Sequence, residues 1–290
     1  MRRRQWNRAA LDDVIYGVHA VGEALAAGES LASVHVGKDR GRDAGVRTIV
    51  AQASSRNIPV RFEEPPYFSQ FPYKAHQRVV AFGPPFEYAS IEDIVHARCS
   101  EPLLVVVLDH ITDPHNTGAI LRTAEAAGAH GAAIPDRRAA AVNPTVRKAA
   151  AGASAHLPIA RVTNVAQTLR NLKKNGVWIV GAHAGDESGA MPYSQADWRR
   201  DVALVIGAED TGLSRVARSE CDELVHIPMH GKVQSLNASV AAAILLYEAV
   251  RQRAGSGKGP LPAEQPERAV EKGEKQRVFA LTRKGRPPYT

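Results

Sequence analysis

Three glycine-containing stretches of this chain carry side chains that can hold or orient an oxygen-rich ligand: Asp113-Pro-His-Asn-Thr-Gly-Ala-Ile-Leu-Arg122, Ile206-Gly-Ala-Glu-Asp-Thr-Gly212 and Ile227-Pro-Met-His-Gly-Lys-Val-Gln-Ser-Leu-Asn237. In the first, Arg122 falls at the edge of a helix whose inward positions are Ile120, Leu121 and Ala124. A fixed fork of N–H donors near a helix N-terminus suits a phosphate or a ribose hydroxyl, and an ion pair with Glu125 is the structural alternative. Asn116 precedes that helix and can serve as its N-cap. In the second stretch, Glu209 lies between two glycines after a buried strand, where it can position a ribose or orient Arg122. In the third, Ser235 and Asn237 open a helix, so a cap explains one of them. Having both, with Gly231 permitting close approach and Met229 offering a soft apolar wall, points to a ligand pocket.

Several chemistries are excluded by what the same stretches lack. Gly207 and Gly212 are spaced as in a phosphate-binding loop, but Leu213 stands where the lysine is required. Asp109, His110, Asp113 and His115 have neither the helical histidine pair nor another zinc spacing, so no metal is expected. His110 and His115 are read instead as flanking a loop that a polyanion approaches. No GxGxxG follows an expected strand, and no GxSxG is present.

The elements that must position these loops alternate strand and helix. Leu103 to Leu108 is continuously apolar, as a strand covered on both faces should be. Further strands are expected over 131–134, 177–181, 202–206 and 224–227, with helices over 117–127, 144–153, 165–174 and 236–253. In the last helix, Leu236, Val240, Ala243, Ile244, Tyr247 and Val250 form one apolar stripe. The pattern is that of an open α/β sheet, which binds ligands at the carboxyl ends of its strands. Residues 12–85 read as a smaller α/β unit, with a helix within 16–25, a second over 43–56, and strands over 33–36, 59–62 and 77–82. Residues 86–101 connect the two units, and the larger one runs over 102–254.

Charge is unevenly spread along the 290 residues, whose net value is +7. The first ten carry four arginines and no acid, and residues 251–290 carry ten basic residues against four glutamates, so the basicity lies in two end segments. The arm 1–11 and the Pro/Lys/Glu-rich tail 255–290, expected to be disordered, would attract a polyanion without reading sequence. Cys99 and Cys221 are far apart and form no CxxC, and the apolar stretches fall short of the roughly 20 residues that cross a bilayer. A reduced, cytoplasmic protein without a membrane segment is expected.

In their order and spacing the three stretches resemble the signature motifs of the SpoU (TrmH-type) branch of the SPOUT RNA methyltransferases. The resemblance covers Pro102 to Arg253, and the residues around Tyr16-Gly-Val-His-Ala-Val-Gly22 and His76-Gln-Arg-Val-Val80 are similar to the L30e-like RNA-binding domain of the subgroup that modifies a large-subunit rRNA guanosine. It implies a parallel sheet whose carboxyl-terminal part is tied in a trefoil knot, and a homodimer with the last helix at the interface. It also implies S-adenosylmethionine as cofactor, held by Gly207, Ile227, Ser235 and Leu236 with Met229 and the loop around Ala182. Asn116, Glu209 and Asn237 would orient the reacting groups, and Arg122 would enter the partner's site. There it would bind a phosphate or favour ionisation of a ribose 2′-hydroxyl, since an arginine is a poor base. Asp210, where many members have glycine, and Ala238, where valine is common, depart from the pattern. The expected activity is ribose 2′-O-methylation of structured RNA, most simply large-subunit rRNA. A tRNA ribose methyltransferase and a non-catalytic RNA-binding protein of the same fold are the alternatives.

Overall fold

Val14, Val34, Val36, Val79 and Ala81 have no exposed surface, and short β-branched runs around them pair into a small mixed sheet. The computed structural model describes residues 13–97, 101–185, 189–233 and 235–255. Its amino-terminal unit comprises β1 (Val14–Tyr16), α1 (Val18–Ala26), β2 (Ser33–Gly37), α2 (Ala44–Ser55), β3 (Val60–Glu63), the single turn α3 (Pro65–Phe68) and β4 (Val79–Phe82). The strand order is β1-β4-β2-β3; only β2 and β3 run parallel. α1 and α2 cover one face through Val21, Leu25, Val46 and Ile49, while Tyr16, Phe68 and Phe71 fill the other.

After α4 (Ile91–His96) the chain builds a seven-stranded sheet in which every pairing is parallel. Its elements are β5 (Leu104–Asp109), α5 (Pro114–Ala126), β6 (Gly131–Pro135), α6 (Pro144–Ala149), β7 (Ile159–Val162), α7 (Val165–Lys174) and β8 (Trp178–His183). β9 (Ala190–Pro192), β10 (Val202–Gly207), α8 (Arg215–Glu220), β11 (Glu223–His226) and α9 (Ala238–Gly255) complete it. The strand order β7-β6-β5-β10-β8-β11-β9 reverses direction between β5 and β10. Loops leaving those two strands diverge to opposite sides, which opens a crevice at their carboxyl ends. Every residue of β5 is buried, with alternate side chains serving the two apolar layers above and below the sheet.

Two features lock the helices that carry the motifs. Gly118 of α5 lies against α6 so closely that a Cβ would overlap that of Ala149 and come within 2.7 Å of the Val146 carbonyl oxygen. Buried Arg253, near the end of α9, donates to the carbonyls of Pro102, Leu103, Trp198 and Arg200 at 2.8–3.1 Å, tying the last helix to the start of the sheet.

The structure departs from expectation at identifiable points. β1, β7, β9, α3 and α8 were not expected; each spans only three to six residues, too few to show a periodicity. α5 begins at Pro114, and Asp113 is its N-cap, accepting the His115 N–H at 2.9 Å. Asn116 is therefore inside the first turn rather than at the cap. The apolar stripe expected on α9 is divided: Val240 and Tyr247 are exposed, Val250 packs at the edge of the core, and Ala242, Leu245, Leu246 and Ala249 make the main core contacts. Cys221 is a free, partly buried thiol whose pKa is pushed up to about 12 by burial, which makes it inert. Cys99, the arm 1–11 and the tail beyond Gly255 lie outside the described residues. Among the described residues, no helix is long and apolar enough to cross a membrane.

Gly118→Ala should gain about 1 kcal/mol of helix propensity yet lose more, of the order of 1–3 kcal/mol, because both helix backbones must shift. A denaturant midpoint below that of the wild type would show it; a higher midpoint would mean that α5 and α6 are not held this closely.

Candidate active site

The loops that follow β5 and β10 and the loop leading into α9 converge on a single carboxylate. Glu209 Oε1 accepts Asn116 Nδ2 at 2.8 Å, the Ala238 backbone N–H at 3.2 Å, and Asn237 Nδ2 in a very short contact. Asn237 Nδ2 also reaches Asn116 Oδ1 at 2.9 Å. Asn237 keeps its structural duty at the same time, since its Oδ1 caps α9 by accepting the N–H of Ser239 at 2.9 Å. Glu209 Oε2 has no protein donor among the described residues, and Glu209 and Asn237 are exposed. The trio thus presents polar atoms outward from a rigid base.

Beside the trio lies a cavity of about 250 Å³ at the ends of β8, β10 and β11. Ala182, Gly207, Ile227, Met229, Ser235 and Leu236 all line it, and so does Glu209. Its walls also include Leu213, Leu224 and Leu245, with Asp210, Arg218 and His183 as further polar side chains. A small volume with apolar walls and a few polar groups is the usual form of a ligand site, and this one is near the lower end of the common range of about 300–1,000 Å³.

The cavity exists because the loop after β10 folds back on itself. Ala208 and Gly212 exchange backbone hydrogen bonds of 3.1 and 2.8 Å, and Gly212 takes φ +62°. A Cβ at Gly207 would overlap the carbonyl of Gly212 and the nitrogen of Leu213. Fully buried Asp109, at the end of β5, accepts the Ser214 N–H at 2.6 Å and so fixes where that loop ends. Asp109 also binds His110 Nδ1 at 2.7 Å, holding His110 at φ +63°. Sequence reasoning set this aspartate aside with the metal candidates; its burial and its reach to a residue 105 positions later were not readable from spacing. Among the described residues no group of three or more metal-ligating side chains comes together. Gly231 has nothing within 4 Å of a built Cβ, so the close approach expected there belongs to Gly207.

Arg122 lies elsewhere. It lines a separate groove with Glu23, Glu125, Ala126, the 150–153 turn and His156, away from the cavity of its own chain. It is exposed, and neither Glu125 nor any other described residue forms an ion pair with it.

The parallel sheet, the cavity at the ends of β8, β10 and β11 and the Asn–Glu–Asn trio at its rim form one candidate ligand site of an α/β protein. The model of the "SpoU rRNA Methylase family" matches residues 103–247, and that for "RNA 2'-O ribose methyltransferase substrate binding" matches residues 14–89. The 23S rRNA (guanosine-2'-O-)-methyltransferase RlmB of Bordetella pertussis is 43% identical over 250 residues, covering 85% of this chain and 100% of that protein. An uncharacterized tRNA/rRNA methyltransferase of Synechocystis is 42% identical over 245 residues, 83% of this chain and 63% of that longer protein. Among solved structures, the SpoU methyltransferase AviRb from Streptomyces viridochromogenes in complex with AdoMet superposes with a TM-score of 0.70 at 29% identity, covering 86% of this chain and 94% of that one. The chain belongs to the SpoU family of RNA methyltransferases, and its fold is theirs.

Asn237→Ala removes the cap and the tether together. Loss of the cap costs about 1 kcal/mol and should lower the melting temperature by roughly 2–4 °C. Asn237→Ser keeps a capping oxygen and should recover most of that loss in a circular-dichroism melt; equal melting of the two variants would show that the cap does not stabilise α9.

Proposed function

We propose that this protein transfers a methyl group from S-adenosylmethionine to a ribose 2′-hydroxyl of structured RNA, most specifically a guanosine of large-subunit rRNA. The observation that carries this reading is the meeting of Asn116, Glu209 and Asn237 from three separate segments at the rim of a half-open cavity.

The cavity fits the donor chemically. S-adenosylmethionine is cationic overall, and Glu209 and Asp210 bring two carboxylates to the lining, while Leu213, Met229 and Leu245 offer apolar surface to an adenine. Gly207, Ile227 and Leu236 would hold it mainly through backbone groups, with Ala182, Met229 and Ser235 completing the wall. When bound, the donor supplies an electrophilic methyl on a sulfonium centre. Asn116 and Asn237 are held by the same Glu209 oxygen, which leaves Glu209 Oε2, without a protein donor among the described residues, in a fixed place to orient a sugar. Fixing two reactants at near-attack distance supplies much of the acceleration for a weak nucleophile such as a hydroxyl.

Arg122 completes the site from a second copy of the chain. Its guanidinium is unpaired and away from its own cavity. The exposed Val240 and Tyr247 on α9 give an apolar face on which two copies can pair about a two-fold axis. There Arg122 acts by charge, binding a neighbouring phosphate or easing ionisation of the hydroxyl, rather than as a base. The later strand β10 lies inside the earlier β8, and β11 lies beyond β8, an order that supports a trefoil-knotted crossing of the connections around the cavity. Residues 12–85 serve as the RNA-binding unit and 102–254 as the catalytic unit. The 43% identity to the Bordetella rRNA enzyme supports rRNA over tRNA, and a cytoplasmic location accompanies that substrate.

Mapping 2′-O-methyl marks in total RNA with and without the protein tests the substrate: one guanosine of large-subunit rRNA should lose its mark. A lost tRNA mark with rRNA unchanged would replace that reading by the tRNA one. For the shared site, Arg122→Ala and Glu209→Ala should each abolish methyl transfer. Mixed and reassembled, they should regain about a quarter of the wild-type rate, because half of the dimers carry one intact site of two. No recovery on mixing would place Arg122 in the site of its own chain or outside the reaction.

A further inference from the structure

None of the four hydrophobic clusters contains residues of both units: two lie within residues 14–82 and two begin at Phe86 or later. What holds the small sheet against the large one is a seam of polar and charged pairs. At its centre Arg147 of α6, only 6% exposed, donates from Nη2 to both carboxylate oxygens of Glu29 at 2.6 and 2.5 Å. Its guanidinium also lies 5.7 Å from the ring centroid of Phe86, in the connector between the units. On one side, Lys148 Nζ approaches Gln77 Oε1 at 3.3 Å, and that oxygen accepts the first N–H of α1, from Val18, at 3.1 Å. On the other, His156 Nε2 meets Glu23 of α1 at 3.2 Å.

Both surfaces are shaped to receive each other. Gly17 and Gly152 take φ +92° and +99°, and a Cβ on either would overlap the side chain lying across it: the Lys148 ammonium over Gly17, and Glu23 over Gly152. Gly17 and Gln77 belong to the two stretches singled out in the amino-terminal unit, which the cavity chemistry leaves unused. Burial of Lys148 lowers its pKa, as expected for an ammonium wedged between two units.

Interfaces made of polar pairs ordinarily allow relative domain motion. Here Arg147 is buried while Glu29 is partly exposed, and removing Glu29 leaves an uncompensated buried charge on the arginine. We propose that Arg147 and Glu29, flanked by Lys148–Gln77 and His156–Glu23, form a latch that fixes the RNA-binding unit at one orientation to the cavity. Arg147 and Glu29 are thereby positioning residues for the RNA substrate. The inference deepens the RNA methyl-transfer reading and rests on it for the identity of the substrate.

The test uses the full chain with Arg147→Glu, Glu29→Arg and the double exchange. Small-angle scattering should show a larger radius of gyration for each single variant and recovery for the exchange. With rRNA substrate, each single variant should raise KM for RNA about tenfold or more, with kcat at saturating RNA and S-adenosylmethionine affinity near wild type, as expected when only placement of the RNA is lost. The exchange should restore KM. Single variants with unchanged scattering and KM, a parallel loss of S-adenosylmethionine binding, or an exchange no better than its parents would each overturn the latch. Should the reversals fail to fold, Gln77→Ala with Lys148→Ala should move both readouts in the same direction by a smaller amount, and no movement there counts equally against it. A wild type that methylates no RNA would sink the functional reading, while the scattering still decides the latch.

Discussion

A single carboxylate oxygen that accepts from two side-chain amides and a backbone N–H can hold them together only if its own backbone does not move. Glu209 is in that position: Asn116 comes from the first turn of α5, and Asn237 and Ala238 open α9, over 120 residues further along the chain. Charge-assisted hydrogen bonds are about twice as strong as neutral ones, but at an exposed site water competes for the same atoms. The stiffness must come from beneath. It comes from β10, buried from Val202 to Ile206 between β5 and β8, which delivers Gly207 in register with Asp109. Asp109 then takes the Ser214 N–H and clamps the far end of the Glu209 loop. The Asn–Glu–Asn trio is therefore only as rigid as the central strand pair.

The same dependence explains why glycine is needed at 207 and not at 231. A loop that must return within five residues to bond Ala208 to Gly212 brings its own backbone over residue 207, and no side chain fits there. Gly231 has open space around it and meets no such demand. Leucine at 213, which removed the phosphate-loop reading, finds its physical role here as a wall of the cavity and a neighbour of Gly181.

The strands that bear the cavity were legible because they are buried on both faces: 104–109 and 202–207 are apolar runs bounded by polar turns. The lining residues were legible through family resemblance, and six of them do share one cavity. What stayed hidden has two physical causes. Elements of three to six residues, such as β1, β7 and α8, are stabilised by pairing and packing across the fold rather than by local pattern. Periodicity also reports that a face is apolar without saying what covers it. The α9 stripe around Val240 and Tyr247 reads as core from sequence alone, yet the face offset from it, Ala242, Leu245, Leu246 and Ala249, is what packs on the sheet, while Val240 and Tyr247 are exposed. Similarly, Pro114 pre-set the start of α5 and moved the cap to Asp113, which left the Asn116 oxygen for Asn237 beside the hydrogen bond its amide makes to Glu209.

That release of Asn116 bears on how the chain divides its labour. An asparagine spent on capping would have its side-chain oxygen committed to a backbone N–H, as Asn237 has. Asn116 has no such duty, so both of its polar ends are engaged with Glu209 and Asn237, and the helix bearing it is held by Asp113 and by the glycine contact at 118. The helix also carries Arg122, two turns further on, facing a different groove. One rigid helix thus serves two places at once: its first turn carries Asn116 to Glu209 at the rim of the cavity, and its third presents an unpaired cation outward. Arg122 lines a groove that shares no residue with the cavity of its own chain, the arrangement that the proposed pairing of two copies would use.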